Sequence, residues 1–300
     1  MILIISENRE NTTNEVIKYL LAMNKRFIRV HEDEIFEIKT HQKRLLMLSQ
    51  RNRFYLDEIS SVWYRTGGLN FKRLRYENES INLNMNEYQH WLEDYVRKTL
   101  ESKKHINKES NSDVNKLLVL EQAKKAGLDV PDYFLSENTD EVELHKTIIK
   151  TIGGNPRAEN IIPNATGMMY TSIVKESQKG SFFITFFQEK IEKDFEIRSF
   201  YLNGKVWSTA IFSQNNEQTK IDFRKYNHKK PNRNVPYQLP KSIEKKIHLL
   251  MLSLDLNSGS LDLIKSKDTF YFLEVNAIGQ FLGHSVICNY SLEKEIADFL

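Results

Sequence analysis

The sequence predicts a small α/β domain followed by two α+β units with antiparallel sheets, and three observations carry that reading. First, Met1-Ile-Leu-Ile-Ile5, the helical stretch Asn14 to Leu21 and Phe27-Ile-Arg-Val30 form a βαβ opening, which implies a parallel sheet. Second, Asn115-Lys-Leu-Leu-Val-Leu-Glu-Gln-Ala-Lys-Lys-Ala-Gly127 reads as a helix closed by glycine, and Val130-Pro131 leads from it into β-rich runs. Third, the C-terminal third holds aromatic and aliphatic runs separated by short turns, the pattern of hairpins.

In order along the chain, Ser61-Val-Trp-Tyr-Arg-Thr66 reads as a strand ended by Gly67-Gly68. Met85, Tyr88, Leu92, Tyr95, Val96 and Leu100 are spaced as one face of an amphipathic helix over 85–104. The polar segment Glu101 to Asp113 is the expected linker. Ile148-Ile-Lys-Thr-Ile152 is a further β-rich run, and Gly153 through Gly167 is expected to be a loop. Phe182-Phe-Ile-Thr-Phe-Phe187 and Glu196-Ile-Arg-Ser-Phe-Tyr201 are expected to be paired strands, and Asn203-Gly204 to be the turn before Val206-Trp-Ser-Thr-Ala-Ile-Phe212.

Composition narrows the function classes. The 300 residues allow two or three compact units, and with 40% hydrophobic and 28% charged residues they show no apolar run long enough to cross a bilayer and no signal-peptide pattern. A cytoplasmic protein is expected. A net charge of +3 does not indicate a nucleic-acid partner. Cys288 is the single cysteine, and the eight histidines lack metalloprotease spacing, so neither a disulfide nor a zinc site is expected. Positive charge is instead local. Arg224-Lys-Tyr-Asn-His-Lys-Lys-Pro-Asn-Arg233 reads as a loop that is either simply solvated or an electropositive mouth for phosphate or an acidic peptide.

The strongest chemical signal is Leu261-Asp-Leu-Ile, a polar break Lys265-Ser-Lys-Asp268, and Phe270-Tyr-Phe-Leu-Glu-Val-Asn276, read as one β-hairpin. A period of two puts Glu274 and Asn276 on one face. Asp262 joins them if the hairpin loop holds an odd number of residues. Two carboxylates and an amide oxygen then suit a hard cation such as Mg²⁺, and an acid among residues that favour burial costs free energy unless it is paired or ligates a metal. Neither a P-loop nor a dinucleotide glycine motif occurs.

The order of these elements resembles the ATP-grasp superfamily across essentially the whole chain. Within it, the sequence is similar to the peptide maturases of graspetides, the microviridin-type macrocyclases, and especially the grasp-with-spasm branch. That likeness rests on Val62-Trp-Tyr-Arg-Thr-Gly67, Gln188-Glu-Lys-Ile-Glu-Lys-Asp-Phe-Glu-Ile-Arg-Ser-Phe-Tyr201, Asp222-Phe-Arg224 and Phe272-Leu-Glu-Val-Asn-Ala-Ile-Gly-Gln-Phe281. It departs from the family at Phe223, Thr66 and Ala277, where Trp, a second Arg and Pro are common.

The resemblance implies an ATP-grasp fold with an N-terminal pre-ATP-grasp α/β domain (1–112), a central domain (113–190) and a C-terminal domain with the Mg²⁺ site (191–300). It implies Lys116 and Lys150 as phosphate-binding lysines, Glu189 and Ile191 as the hinge that receives adenine, and Glu196 as a nucleotide-facing acid. Arg198 and Arg224 would stabilise phosphoryl oxygens, and Asp262, Glu274 and Asn276 would ligate Mg²⁺. The implied cofactors are ATP and Mg²⁺. The implied substrate is a ribosomal precursor peptide with an acidic core, activated at Asp or Glu as an acyl phosphate and closed by a Ser/Thr hydroxyl or a Lys amine. A companion SPASM-type maturation protein and a homodimer also follow from the likeness; nucleic acid and membrane are not expected partners. Two other readings stay open: an ATP-grasp ligase adding an amino acid to a small carboxylate or a protein C-terminus, and a non-catalytic, nucleotide-gated peptide-binding module.

Overall fold

The computed structural model describes residues 1–153, 157–162, 165–168, 170–225 and 227–300, with 157–162 and 165–168 described as backbone. Two compact units result. One comprises Met1–Ser112 with Gln280–Val286 and Tyr290–Leu300, the other Asp113–Gly279 with Ile287–Asn289.

The first unit runs β1 (Ile2–Ile5), α1 (Asn11–Ala22), β2 (Phe27–Val30), β3 (Ile35–His41), β4 (Arg44–Leu48), β5 (Arg53–Tyr55), β6 (Ser61–Tyr64), β7 (Asn70–Phe71), α2 (Glu79–Glu101) and β8 (Lys104–Ile106). The predicted βαβ opening forms, with β1 parallel to β2 and to β6 in the order β2-β1-β6-β8. All four residues of β1 are buried, as a central parallel strand requires. The segment expected to be a polar linker is partly a strand: Lys104-His-Ile106 pairs with Ser61-Val-Trp63 as the sheet edge. One inward apolar residue, Ile106, suffices for an edge strand, which is too little for a period-two pattern to show. A second sheet, β5-β4-β3-β7, shares the core through Phe36, Met47 and Phe54.

The second unit runs α3 (Lys116–Lys125), β9 (Tyr133–Ser136), β10 (Thr147–Ile149), β11 (Arg157–Ile162), β12 (Ala165–Met168), β13 (Ser172–Ile173), β14 (Thr185–Glu189), β15 (Phe195–Leu202), β16 (Lys205–Phe212), β17 (Arg233–Tyr237), α4 (Lys241–Ser253), β18 (Ser258–Ser266) and β19 (Thr269–Asn276). The chain closes with α5 (Leu282–Cys288) and α6 (Leu292–Phe299). Two expectations are corrected. Part of the stretch expected to be a loop forms the antiparallel pair β11–β12, while residues 154–156 and 163–164 lie outside the described residues. The strands β14 and β15 do not pair with each other: β14 lies between β10 and β9, and β15 between β16 and β18, in separate sheets.

The five-stranded sheet β17-β16-β15-β18-β19 carries the chemistry. Asn203 and Gly204 make the predicted turn between β15 and β16, both at positive φ (45° and 91°). The decisive feature is in the last hairpin. Its loop, Lys267–Asp268 between the paired residues Ser266 and Thr269, holds an even number of residues. Strict alternation from that turn would set Asp262 opposite Leu273 and turn Glu274 to the face of Phe270 and Phe272. A β-bulge prevents this. Leu263 pairs with Phe272, Asp262 pairs with Glu274, and Leu273 is the extra residue. Leu261, Leu263, Phe272 and Val275 therefore all point into one core with Val119 and Leu120 of α3 and Ile247 and Leu250 of α4, while Asp262 and Glu274 face the other way.

Beyond β19 the chain turns at Gly279, whose φ is +62°; an added Cβ would lie 3.2 Å from the Gly259 Cα and 3.3 Å from the Phe200 ring. Only glycine fits, because a side chain meets both a left-handed backbone and a neighbouring strand. Gly279→Ala is expected to destabilise the protein by about 1–3 kcal/mol, read as a lowered midpoint in urea unfolding with an unchanged slope.

Candidate active site

The site is built on the face of the five-stranded sheet opposite the α3–α4 core. Arg198 of β15, Asp262 of β18 and Glu274 of β19 are consecutive cross-strand partners, so three neighbouring strands present them in one row. Arg198 donates to both oxygens of Asp262, at 2.9 and 3.1 Å. The side chains are only 16% and 19% exposed, a pair largely removed from water. Removing one partner of such a pair leaves an uncompensated charge and costs about 3–5 kcal/mol.

Lys116 opens α3, after Asn115, whose side chain caps the helix by accepting from the backbone N–H groups of Leu117 and Leu118. The edge position of β19 lets the long lysine stem reach past it. Its Nζ lies 2.9 Å from Glu274 Oε2 and donates to the Thr151 carbonyl at 2.9 Å. Thr151 follows Lys150, so one contact ties the helix start to the segment that carries the second lysine.

Lys150 is half-buried and makes no ion pair with a described residue. Burial pulls its pKa down to about 8; Glu274 and Asp262 partly restore it, while Lys116 and Arg224 lower it further. Glu274 is raised by burial, but Lys116 and Lys150 outweigh that and hold it below the usual carboxylate range. Asp262 goes the other way. Burial and the Glu274 charge beside it outweigh Arg198 and push it up. Arg224 also acts electrostatically on both carboxylates. It is fixed by Asp222, which is 4% exposed and accepts from Arg224 Nε at 2.9 Å, Arg224 Nη2 at 2.6 Å and the Thr171 N–H at 3.1 Å.

The structure thus brings six predicted residues into one electrostatic group: Lys116, Lys150, Arg198, Arg224, Asp262 and Glu274. Asn276, exposed at the end of β19, pairs in register with Ser260 two residues beyond Asp262, on the same side as the acids. Glu196 is on β15 two residues before Arg198, but its carboxylate is buried and engaged by Lys193 and by the Ser213 hydroxyl at 2.6 Å. Burial pushes its pKa up against those partners. Glu189 ends β14, exposed, with its N–H donated to the Asp132 carbonyl at 2.7 Å; Ile191 is half-buried just beyond. Neither is joined to the charged group by a described contact. Two supporting residues carry no sequence expectation of their own. Asp222 has a weak signal in its Asp-x-Arg spacing, and Lys193 sits in a charge-rich run with none.

The donor chemistry fits a magnesium nucleotide. Two carboxylates side by side and an amide on the same side are hard oxygen donors, and the surrounding cations suit phosphate. Among the described residues, no group of three or more His, Cys, Asp or Glu side chains is placed to hold a metal, so any metal here is shared between these few oxygens and its ligand.

No protein-family model and no curated protein matches the chain. Solved structures do. The macrocyclase MdnC from Microcystis aeruginosa MRC, bound with precursor peptide MdnA, superposes with a TM-score of 0.75 at 25% identity, covering 100% of this chain and 99% of that one. A RiPP-associated ATP-grasp ligase from Chryseobacterium gregarium, in complex with ADP and a leader and core peptide, gives a TM-score of 0.76 at 22% identity over 99% of this chain and 94% of the other. The ATP-grasp ligase PsnB, complexed with minimal precursor, Mg and ADP, gives 0.63 at 15% identity over 99% and 96%. The chain therefore has the ATP-grasp fold. The likeness to MdnC, a macrocyclase, runs from end to end of both chains. Among the described residues no helix is long and apolar enough to cross a membrane.

The electrostatic group is testable without turnover. The Lys150 Cε resonance is expected to titrate near pH 8 and, in Glu274→Gln, at a lower pH, because the anion that favours the charged ammonium is gone. An unchanged midpoint in the variant would disconnect the two residues.

Proposed function

We propose that the protein is an ATP-dependent peptide ligase that activates Asp or Glu side chains of a ribosomal precursor peptide and closes them onto Ser/Thr or Lys side chains. The observation that carries this is the row Arg198–Asp262–Glu274 with Lys116, Lys150 and Arg224 around it: four cations against three carboxylates, counting the Asp222 that holds Arg224, on an ATP-grasp fold. That excess of positive charge suits a triphosphate. Lys116 and Lys150 bind phosphate, Glu189 and Ile191 form the adenine hinge, and Asp262, Glu274 and Asn276 hold Mg²⁺. A bound Mg²⁺ would supply neutralisation of phosphate charge there.

A carboxylate is a poor acyl donor. Transfer of the γ-phosphoryl group to the peptide carboxylate makes an acyl phosphate and leaves ADP. The hydroxyl or amine of the same peptide then attacks the acyl carbon, loses its proton and expels inorganic phosphate. Arg198 and Arg224 orient and stabilise the transferring group, and their fixed anchors on Asp262 and Asp222 mean that little reorganisation is needed during the reaction. No protein nucleophile is required.

We also propose the three-domain division 1–112, 113–190 and 191–300, the grasp-with-spasm branch and a cytoplasmic site of action, which suits an ATP-consuming enzyme of a ribosomal peptide. A companion maturation protein and a homodimer belong to the same reading.

Co-expression with a short peptide that repeats Thr/Ser and Asp/Glu residues, taken from beside the gene where one is encoded there, tests the function. Each crosslink should remove the mass of one water, and Glu274→Gln should abolish the mass change, lowering kcat by about a hundredfold or more while leaving Tm near that of the unmodified protein. A stable variant with near-normal turnover would overturn the site.

The second expectation concerns pH. Lys150 is charged below about pH 8 and loses its proton above it, so kcat/KM for ATP should fall as pH rises through that value. Lys150→Arg, which stays charged, should flatten the fall. A profile identical in both proteins would remove Lys150 from phosphate binding.

A further inference from the structure

The cationic loop between β16 and β17 has a built form. From Phe223 to Ser242 the sequence contains no carboxylate, while it holds Arg224, Lys225, Lys229, Lys230, Arg233 and Lys241. The loop is closed at its neck: Asn232 Nδ2 donates to the Phe223 carbonyl at 3.4 Å, the closing geometry of a compact surface loop. One end is anchored where the buried Asp222 holds Arg224. The other end enters the sheet, with Arg233 pairing in register with Phe212 and its guanidinium 5.8 Å from that ring. At the tip the Asn227 side chain accepts from the N–H groups of Lys229 (3.0 Å) and Lys230 (3.1 Å), bending the backbone so that both lysines stand exposed. Tyr226 lies outside the described residues.

Neutralisation separates this loop from an ordinary solvated one. Several exposed cations elsewhere have a carboxylate beside them, Arg44 with Asp57 and Glu58, Arg51 with Asp33 and Lys72 with Glu37, whereas this loop gathers its cations with no carboxylate within its own sequence. Lys225, Lys229, Lys230 and Arg233 have no carboxylate partner among the described residues. Lys225 instead lies over the Tyr170 ring, at 5.5 Å. An ordered loop with charge of one sign raises the local concentration of a ligand of the other sign. At its anchored end Arg224 belongs to the electrostatic group of Asp262 and Glu274, so the field is continuous with the candidate active site.

We infer that Lys225, Lys229, Lys230 and Arg233 form the docking surface for a carboxylate-rich peptide segment, held beside the site where Arg224 acts. The inference rests on the ligase reading for the identity of the peptide, but the loop's charge and anchoring stand independently of it. Nucleotide phosphate is the rival anion. It is disfavoured here because Lys116, Lys150, Arg198 and Arg224 already supply a cation set for it.

The test uses the full chain and a fluorescein-labelled decapeptide of alternating Thr and Glu, with a Thr/Gln decapeptide as control. Fluorescence anisotropy is read without nucleotide at low and high ionic strength, and ATP affinity is measured separately. The Glu peptide is expected to bind in a salt-sensitive manner and the Gln peptide far more weakly. Replacing Lys229, Lys230 and Arg233 together with Gln should weaken the Glu peptide roughly tenfold, flatten its salt dependence and leave ATP affinity unchanged. Unchanged peptide binding in the triple variant, or equal binding of both peptides, overturns the assignment. So does a parallel loss of ATP affinity, which would give the loop to phosphate. Failure of the wild-type protein to bind ATP would count against the ligase reading alone, since the peptide titration does not depend on it.

Discussion

The pairing of Asp262 with Glu274 across β18 and β19 is the constraint on which the rest of the site depends. It is produced by one extra residue, Leu273. Without that bulge, Glu274 would turn into the packed layer that contains Phe270 and Phe272, where an ionised carboxylate has no partner and a large desolvation cost. With it, the apolar residues on both sides of the bulge reach the same core and the two acids share the opposite face. The same backbone irregularity therefore completes a hydrophobic core and assembles an anionic pair. A feature that serves folding and chemistry together resists replacement by a regular ladder.

Once the acids are paired, the cations follow. Two carboxylates this close raise each other's proton affinity, and the opposing shifts of Asp262 and Glu274 reflect how unequally the cations are shared. Glu274 has Lys116 in direct contact and Lys150 nearby, so it stays ionised. Asp262 has Arg198, which does not offset burial beside a second anion. Arg224 is held from outside by Asp222, and Lys150 makes no ion pair with a described residue. Each cation is thus tied to a different structural element, and the group spans a helix start, a β-strand exit, three sheet strands and a loop. Such a group loses its geometry when any of those elements moves.

The likeness to peptide-maturing ATP-grasp enzymes persists as identity falls from 25% to 15%. A fold retained at that divergence is held by core pattern and turn geometry more than by individual residues, and it does not by itself name a substrate. Specificity has to come from surfaces that the core does not constrain. The loop between β16 and β17 lies outside the core, closed at its neck by Asn232 and anchored at Arg224.

Much of the architecture was legible in the residues. The βαβ opening, the helix from Lys116, the Asn203–Gly204 hairpin and the terminal hairpin are written in local periodicity and turn chemistry, which act over a few residues. The charged residues of the site were nameable by type and order, because hard oxygens and phosphate-binding cations have few chemical substitutes. Local signals failed where pairing is long-range or the apolar content is small: the edge strand Lys104–Ile106, the β11–β12 pair, and the separation of β14 from β15. The face of Asp262 was beyond reach as well, because an even turn and an odd bulge give the same side as an odd turn, and only the ladder tells them apart. The sequence by itself determined which charged side chains are available to the candidate site. Only the tertiary structure decided which of them meet, since contacts such as Lys116 with Glu274 join residues far apart in the chain, and it is the packing of the core that brings them within 2.9 Å.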